Sequence, residues 1–250
     1  MKKLVALLLL FSSPVYALSD CADKPTCEEI GYKFNKCQCG DKQTIPCPFD
    51  NTKLYCPGPV CEVGYYLYSD GSCSLSLKQD KLLIGIIFDE QNRLAISTKP
   101  AEKLFWSNHS EQYLPIEPAI GCTQTDPCVF ETCNGQTSTK YIIDFALANN
   151  YSFPAAEYCW NFDFGNKGKG SWWLPSTAEL KKIYNNKSQI NSSLTTANLT
   201  ELSASSHWSS NQTNNTSLSA NWAWFLNLGS GASNHFNEKS AQSVICITRY

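Results

Sequence analysis

Gly170-Ser-Trp-Trp-Leu-Pro-Ser-Thr-Ala-Glu-Leu-Lys-Lys-Ile-Tyr184 is the stretch around which the larger, C-terminal part of the chain is organised. Trp172, Trp173 and Leu174 form a dense apolar patch. Pro175 forbids a helix from running back through it, because proline lacks the N–H and its ring collides with the preceding turn. Ser176-x-x-Glu179 is a capping-box pattern, so a helix starts at once. Within it Leu180, Ile183 and Tyr184 fall at i, i+3 and i+4 on one apolar face, while Lys181 and Lys182 point away. The pattern predicts a short buried strand or turn that hands over to an amphipathic helix. A plain core helix would show the same pattern, so the neighbouring segments decide.

Upstream, the apolar run 82–88, the polar turn Asp89-Glu-Gln-Asn92 and the run 93–98 read as a β-hairpin. Ile142, Ile143, Phe145, Ala146 and Leu147 give residues 137–149 a helical period, with Thr137 or Ser138 at the cap and Asn149-Asn150 at the end. A second helical piece spans 154–160. Downstream, residues 186–220 are dominated by Asn, Ser and Thr and read mostly as loop, apart from Trp208-Ser-Ser210. The segment 221–228 alternates, with Trp222, Trp224, Leu226 and Leu228 on one face and Ala223, Phe225 and Asn227 on the other. Residues 99–136 are a Pro-punctuated excursion with Cys122, Cys128 and Cys133, to which the sequence assigns no role.

These segments together resemble the Lcl C-terminal domain family, named after a collagen-like bacterial adhesin. The resemblance covers residues 80–250 and rests on Trp172-x-Leu-Pro-Ser-x-x-Glu-Leu180, Ile84-Gly-Ile-Ile-Phe88, Leu94-Ala-Ile-Ser97, Asn134-Gly-Gln-Thr137, Trp208-Ser-Ser210, Trp222 to Leu228 and Val244 to Arg249. It implies an α+β, C-type-lectin-like domain. In such folds an early helix is commonly stapled to the last strand, which implies a Cys159–Cys246 disulfide here. The resemblance also places ligands in the region between the central helix and the final strand.

At the other end, Met1-Lys-Lys3, the apolar run 4–11 and Val15-Tyr-Ala17 read as a signal peptide over 1–17, which makes the chain exported: secreted, periplasmic or at the cell surface. Residues 18–76 contain eight of the thirteen cysteines, namely Cys21, Cys27, Cys37, Cys39, Cys47, Cys56, Cys61 and Cys73. So short and aliphatic-poor a segment cannot offset its chain entropy by burial, and disulfides supply the stability. A zinc site is the lesser reading, since no paired Cys-x2-Cys spacing occurs. Gly64 to Cys73, with Asp70-Gly71 as its tight turn, looks like the last hairpin of an EGF-like module. The domain plan is therefore 1–17 signal, 18–76 cysteine-rich module and 77–250 lectin-like domain. An odd total of thirteen cysteines leaves at least one thiol unpaired or joined to another molecule.

Catalysis has no visible constellation, and the reading is a non-enzyme without metal or cofactor. His109, His207 and His235 stand singly. Gly229-Ser-Gly-Ala-Ser233 lacks the closing glycine of a nucleophile elbow, and Gly165 to Ser171 breaks the phosphate-loop ending at Gly170. A formal net charge of −2 argues against nucleic acid as partner, although Lys167, Lys169, Lys181 and Lys182 are candidates for a local basic patch. Amide and aromatic side chains suit carbohydrate, since amides pair with hydroxyls and an aromatic face stacks on sugar C–H; they equally suit a protein surface. Trp172, Trp173, Trp208 and Trp224 read first as core, and Trp222 equally as core or ligand surface.

The candidate ligand-binding set is Trp208, Asn211, Asn214, Asn221, Trp222, Asn234 and His235. The expected function is an adhesin or receptor that binds a surface glycan or protein, with a homo-oligomer as a further option. The alternative is a structural component of an envelope or extracellular assembly.

Overall fold

The computed structural model describes residues 33–34, 45–47, 50–56, 61–108, 134–213 and 222–250. The chain divides into two compact units, 1–58 and 59–250. In the first, β1 (Lys33–Phe34), β2 (Ile45–Cys47) and β3 (Asp50–Cys56) form an antiparallel sheet in the order β1-β3-β2. The signal segment, Cys21, Cys27, Cys37, Cys39, Cys122, Cys128 and Cys133 lie outside the described residues.

The second unit begins with β4 (Tyr66–Tyr68) and β5 (Cys73–Ser74), a hairpin whose Asp70 carboxylate accepts the Ser72 N–H at 3.0 Å and whose Gly71 sits at φ 78°. A Cys61–Cys73 disulfide ties its base. This is the hairpin expected to close the cysteine-rich module, yet β4 pairs with β6 (Leu83–Asp89) of the larger unit. Tyr66, Leu67 and Tyr68 are all buried, and three consecutive buried side chains need cover on both faces of a strand. The larger unit supplies it: Tyr66 and Tyr68 pack in one apolar core and Leu67 in another.

β6 turns into β7 (Leu94–Ser97) as expected, through Asp89, which accepts the backbone and side-chain N–H groups of Asn92 at 3.2 and 2.7 Å. β8 (Glu102–Leu104) follows. Helix α1 (Gly135–Asn149) starts earlier than the sequence implied, because Asn134 rather than Thr137 or Ser138 caps it, accepting the Thr137 N–H at 3.1 Å. Its buried stripe is Ser138, Thr139, Ile142, Ile143 and Ala146, whereas Leu147 is 79% exposed. Next come α2 (Pro154–Trp160), β9 (Trp172–Trp173) and α3 (Thr177–Asn185), the last with the full capping box of Ser176 and Glu179.

Residues 187–196, expected as loop, instead form α4 (Lys187–Thr196). Only two aliphatic side chains hold it, Ile190 and Leu194, but they stand at i and i+4 and are both buried. The chain closes with β10 (Ser206–Gln212), β11 (Trp222–Asn227), β12 (Ser233–Asn237), β13 (Gln242–Val244) and β14 (Ile247–Arg249).

A six-stranded sheet runs β5-β4-β6-β7-β14-β9 and a five-stranded sheet β12-β11-β10-β13-β8. The chain crosses between them four times: directly from β7 to β8, through α1 and α2 from β8 to β9, through α3 and α4 from β9 to β10, and directly from β13 to β14. Two cores result. One gathers Ile142, Phe153, Trp172, Leu174 and Trp208 with α1 and α2, and the other gathers Trp173, Leu180, Ile183, Ile190, Leu226 and Ile247 with α3 and α4. Successive side chains on a strand face opposite ways, so the adjacent Trp172 and Trp173 serve one core each. Cys159 and Cys246 form the expected disulfide between α2 and the segment that joins β13 to β14, across a sequence separation of 87. The unit is α+β, with two sheets, four helices and two disulfides among the described residues.

Candidate functional site

Strands β10, β11 and β12 lie side by side and contain all but two of the candidate ligand residues; Asn214 and Asn221 lie outside the described residues. The β11–β12 turn is built by Asn227, whose side-chain oxygen accepts the N–H groups of Gly229 at 2.8 Å and Ser230 at 3.0 Å. That turn sets the register, which places Trp224 opposite His235 and Trp222 opposite Asn237.

Trp222, Trp224 and His235 therefore share one face, each half-buried. The His235 ring stands edge-on between the two indoles, with centroids 4.9 Å from Trp222 and 5.1 Å from Trp224. The exposed Phe236 ring lies 6.2 Å from Trp222. The indole N–H of Trp222 and Nδ1 of His235 are shielded from solvent and make no hydrogen bond. Buried polar groups are normally paired, so this aromatic cluster has hydrogen-bonding capacity in reserve.

Two expected ligand residues belong to the framework instead. Trp208 is fully buried, donates its indole N–H to the Leu104 carbonyl at 3.0 Å and packs edge-on against Phe225. Asn211 is fully buried too, and its side-chain oxygen accepts the backbone N–H and hydroxyl of Thr177 at 2.8 and 2.6 Å. It thereby satisfies a donor in the first turn of α3, where helix N–H groups lack internal partners. Asn234 is exposed and accepts the His235 N–H at 2.8 Å, but its position opposite Phe225 puts it on the face away from the Trp222 cluster.

The structure thus unites Trp222 and His235 from the expected set and adds Trp224. The alternation of β11 already put Trp224 beside Trp222; what the sequence lacked was the partner strand. Three of the four lysines of the candidate basic patch are individually engaged: Lys181 is bonded to the Gly231 carbonyl, Lys182 to Asp89 and Lys167 to the Arg249 carbonyl. Among the described residues no three or more His, Cys, Asp or Glu side chains converge as a metal site.

An electrostatic feature lies just past the end of β12. Burial pushes the Glu238 carboxyl from 4.5 up to about 8, against a single side-chain hydrogen bond from Gln212 at 2.9 Å. At neutral pH the acid is mostly protonated.

No protein-family profile matches the chain, and no curated protein matches it. Among solved structures it is similar to a fimbrial protein from Bacteroides ovatus ATCC 8483, with a TM-score of 0.59 and 14% identity over 76% of this chain. The match spans 49% of that protein's length, and at this identity it speaks to the fold.

Proposed function

We propose that the chain is an exported subunit of a bacterial surface assembly of the fimbrial kind, the structural alternative among the sequence readings. The similarity in fold to the Bacteroides fimbrial protein carries this reading. The signal-like N-terminus and the disulfides support it, since disulfides persist in oxidising, extracytoplasmic compartments. The Cys159–Cys246 staple also supports the C-type-lectin-like interpretation of the second unit. The test is expression of the full chain in a bacterial host. Subunit ladders on a non-reducing gel together with immunogold label on surface filaments are expected, and a monomer retained in the periplasm would sink the idea.

A second reading, adhesion through the β11–β12 face, is supported by one observation: Trp222 and His235 hold unpaired polar atoms in a half-exposed aromatic cluster. Glycan-array binding that disappears in a folded Trp222→Ala variant would support it; unchanged binding would remove that face from consideration.

A further inference from the structure

Where the chain crosses between the two sheets, a cleft of about 320 Å³ opens beside β7, β10, β13 and the end of α4. Its lining is apolar at Ile96, Leu194 and Ile245 and polar at Ser205, His207 and Ser243. The hydroxyls form a chain, Ser203 to Ser205 at 2.6 Å and Ser205 to Ser243 at 2.9 Å. Its charges are already engaged or peripheral. Lys99 lies over the Phe164 ring at 4.8 Å, the Glu201 carboxylate accepts from Asn191 and Thr195, and Lys103 is on an exposed position of β8.

His207 has no solvent exposure. Its Nδ1 is 2.9 Å from the Ser205 carbonyl, which can only accept, so Nδ1 holds the proton. Burial lowers its pKa to about 4, so the ring is neutral at physiological pH and Nε2 is a bare acceptor. That nitrogen has no partner in the protein. An anion offers only acceptors to such an atom, whereas a hydroxyl offers a proton.

We infer that this cleft is a binding site for a neutral, polyhydroxylated ligand the size of one sugar residue, whose hydroxyls join the Ser203–Ser205–Ser243 chain and, after a small shift of the lining that uncovers the shielded nitrogen, donate to His207 Nε2. The site is separate from the Trp222 cluster and does not depend on the assembly reading. It matches the usual make-up of small-ligand pockets, an apolar lining with a few convergent polar groups.

The test is an NMR titration of the full mature chain, labelled with ¹⁵N, with methyl glycosides of glucose, galactose, mannose and N-acetylglucosamine, and with glucose 6-phosphate as the anionic counterpart. At least one neutral glycoside is expected to bind with a Kd on the order of 1 mM, the range open to a ligand of this size. Backbone shifts should cluster at residues 96–103, 200–207 and 243, and the His207 Nε2 resonance should move as it gains a donor. Ser243→Ala, with its melting temperature preserved, should weaken binding by about threefold to tenfold. The inference is overturned if no glycoside shifts these residues, if shifts fall only around Trp222 and His235, if the phosphate binds better, or if Nε2 stays unmoved, which would leave an ordered water as the only occupant.

Discussion

The junction at Glu179 and the cleft at His207 both bury a titratable side chain where helix and sheet meet, but they spend its hydrogen bonds differently. One Glu179 oxygen accepts the N–H of Ser176 at 2.6 Å and that of Gly135 at 3.2 Å, so a single carboxyl group ties together the starts of α3 and α1. His207 uses one nitrogen on a neighbouring carbonyl and leaves the other without a partner. Two backbone donors on one carboxyl oxygen mark a structural joint; a buried acceptor left over marks a place where something else can bind. Glu238, with one side-chain partner, stands between the two.

The comparison breaks most visibly at Glu179. Glu179→Ala strands two buried backbone donors, and urea denaturation should show a loss of about 3–5 kcal/mol. Glu179→Gln keeps an acceptor oxygen and should cost about 1 kcal/mol or less. If the two variants were equally unstable, packing rather than hydrogen bonding would hold the joint. Gly135→Ala attacks it from the other side. The added methyl would meet the Glu179 carboxylate, the Ser176 nitrogen at 2.7 Å and the Leu174 carbonyl at 2.8 Å, where two of the three obstacles are backbone. A loss of about 2–3 kcal/mol is expected from such overpacking.

Stability against pH sharpens the contrast further. Burial raises the Glu238 pKa, so the folded state holds that proton more tightly than the unfolded chain, and stability falls as pH rises from 4.5 to about 8. Burial lowers the His207 pKa, so its contribution is present above 6.5 and is lost as pH falls toward about 4. Between 4.5 and 6.5 the two slopes oppose each other, and above 6.5 Glu238 acts alone of the pair. Its effect should be about 2 kcal/mol between pH 6.5 and 8, at roughly 1.4 kcal/mol per pH unit. Glu238→Gln should flatten that limb in melts across the range, and an unchanged limb would assign the slope to another group, such as the buried Glu179. The smallest effect is expected at Lys140, whose exposed partner Asp144 lies one helical turn away at 2.6 Å. Lys140→Ala should cost about 0.5 kcal/mol or less, which sets the baseline for a site with nothing buried.

Legibility in the sequence followed the range of the interaction. The capping box, the 82–98 hairpin and the helix over 154–160 all rest on neighbours within a few residues, and all are present; β11 forms too, but its burial does not alternate, because Ala223 and Leu226 serve a core on each face. Helix α4 escaped notice because its apolar stripe is only Ile190 and Leu194, too short to outweigh an Asn-, Ser- and Thr-rich composition. Asn211 read as a ligand residue because amide side chains suit sugars, and Trp208 read first as core, as it is, and second as a ligand residue. Their partners, Leu104 and Thr177, lie 104 and 34 residues away.

By itself the sequence determined an exported-looking chain, its cysteine-dense first segment, the α+β character of the rest and the start of its central helix. Each of these follows from local composition or from the period of the backbone. Only the tertiary structure decided that residues 66–74 belong to the sheet of the larger unit, that Trp172 and Trp173 feed separate cores, and that Trp222, Trp224 and His235 meet while Trp208 and Asn211 turn inward. The same holds for the neutral His207 in the lining of the cleft beside β7, β10 and β13. Burial and the partner of each polar atom are set by strands and helices far apart in the chain, and no local pattern encodes them.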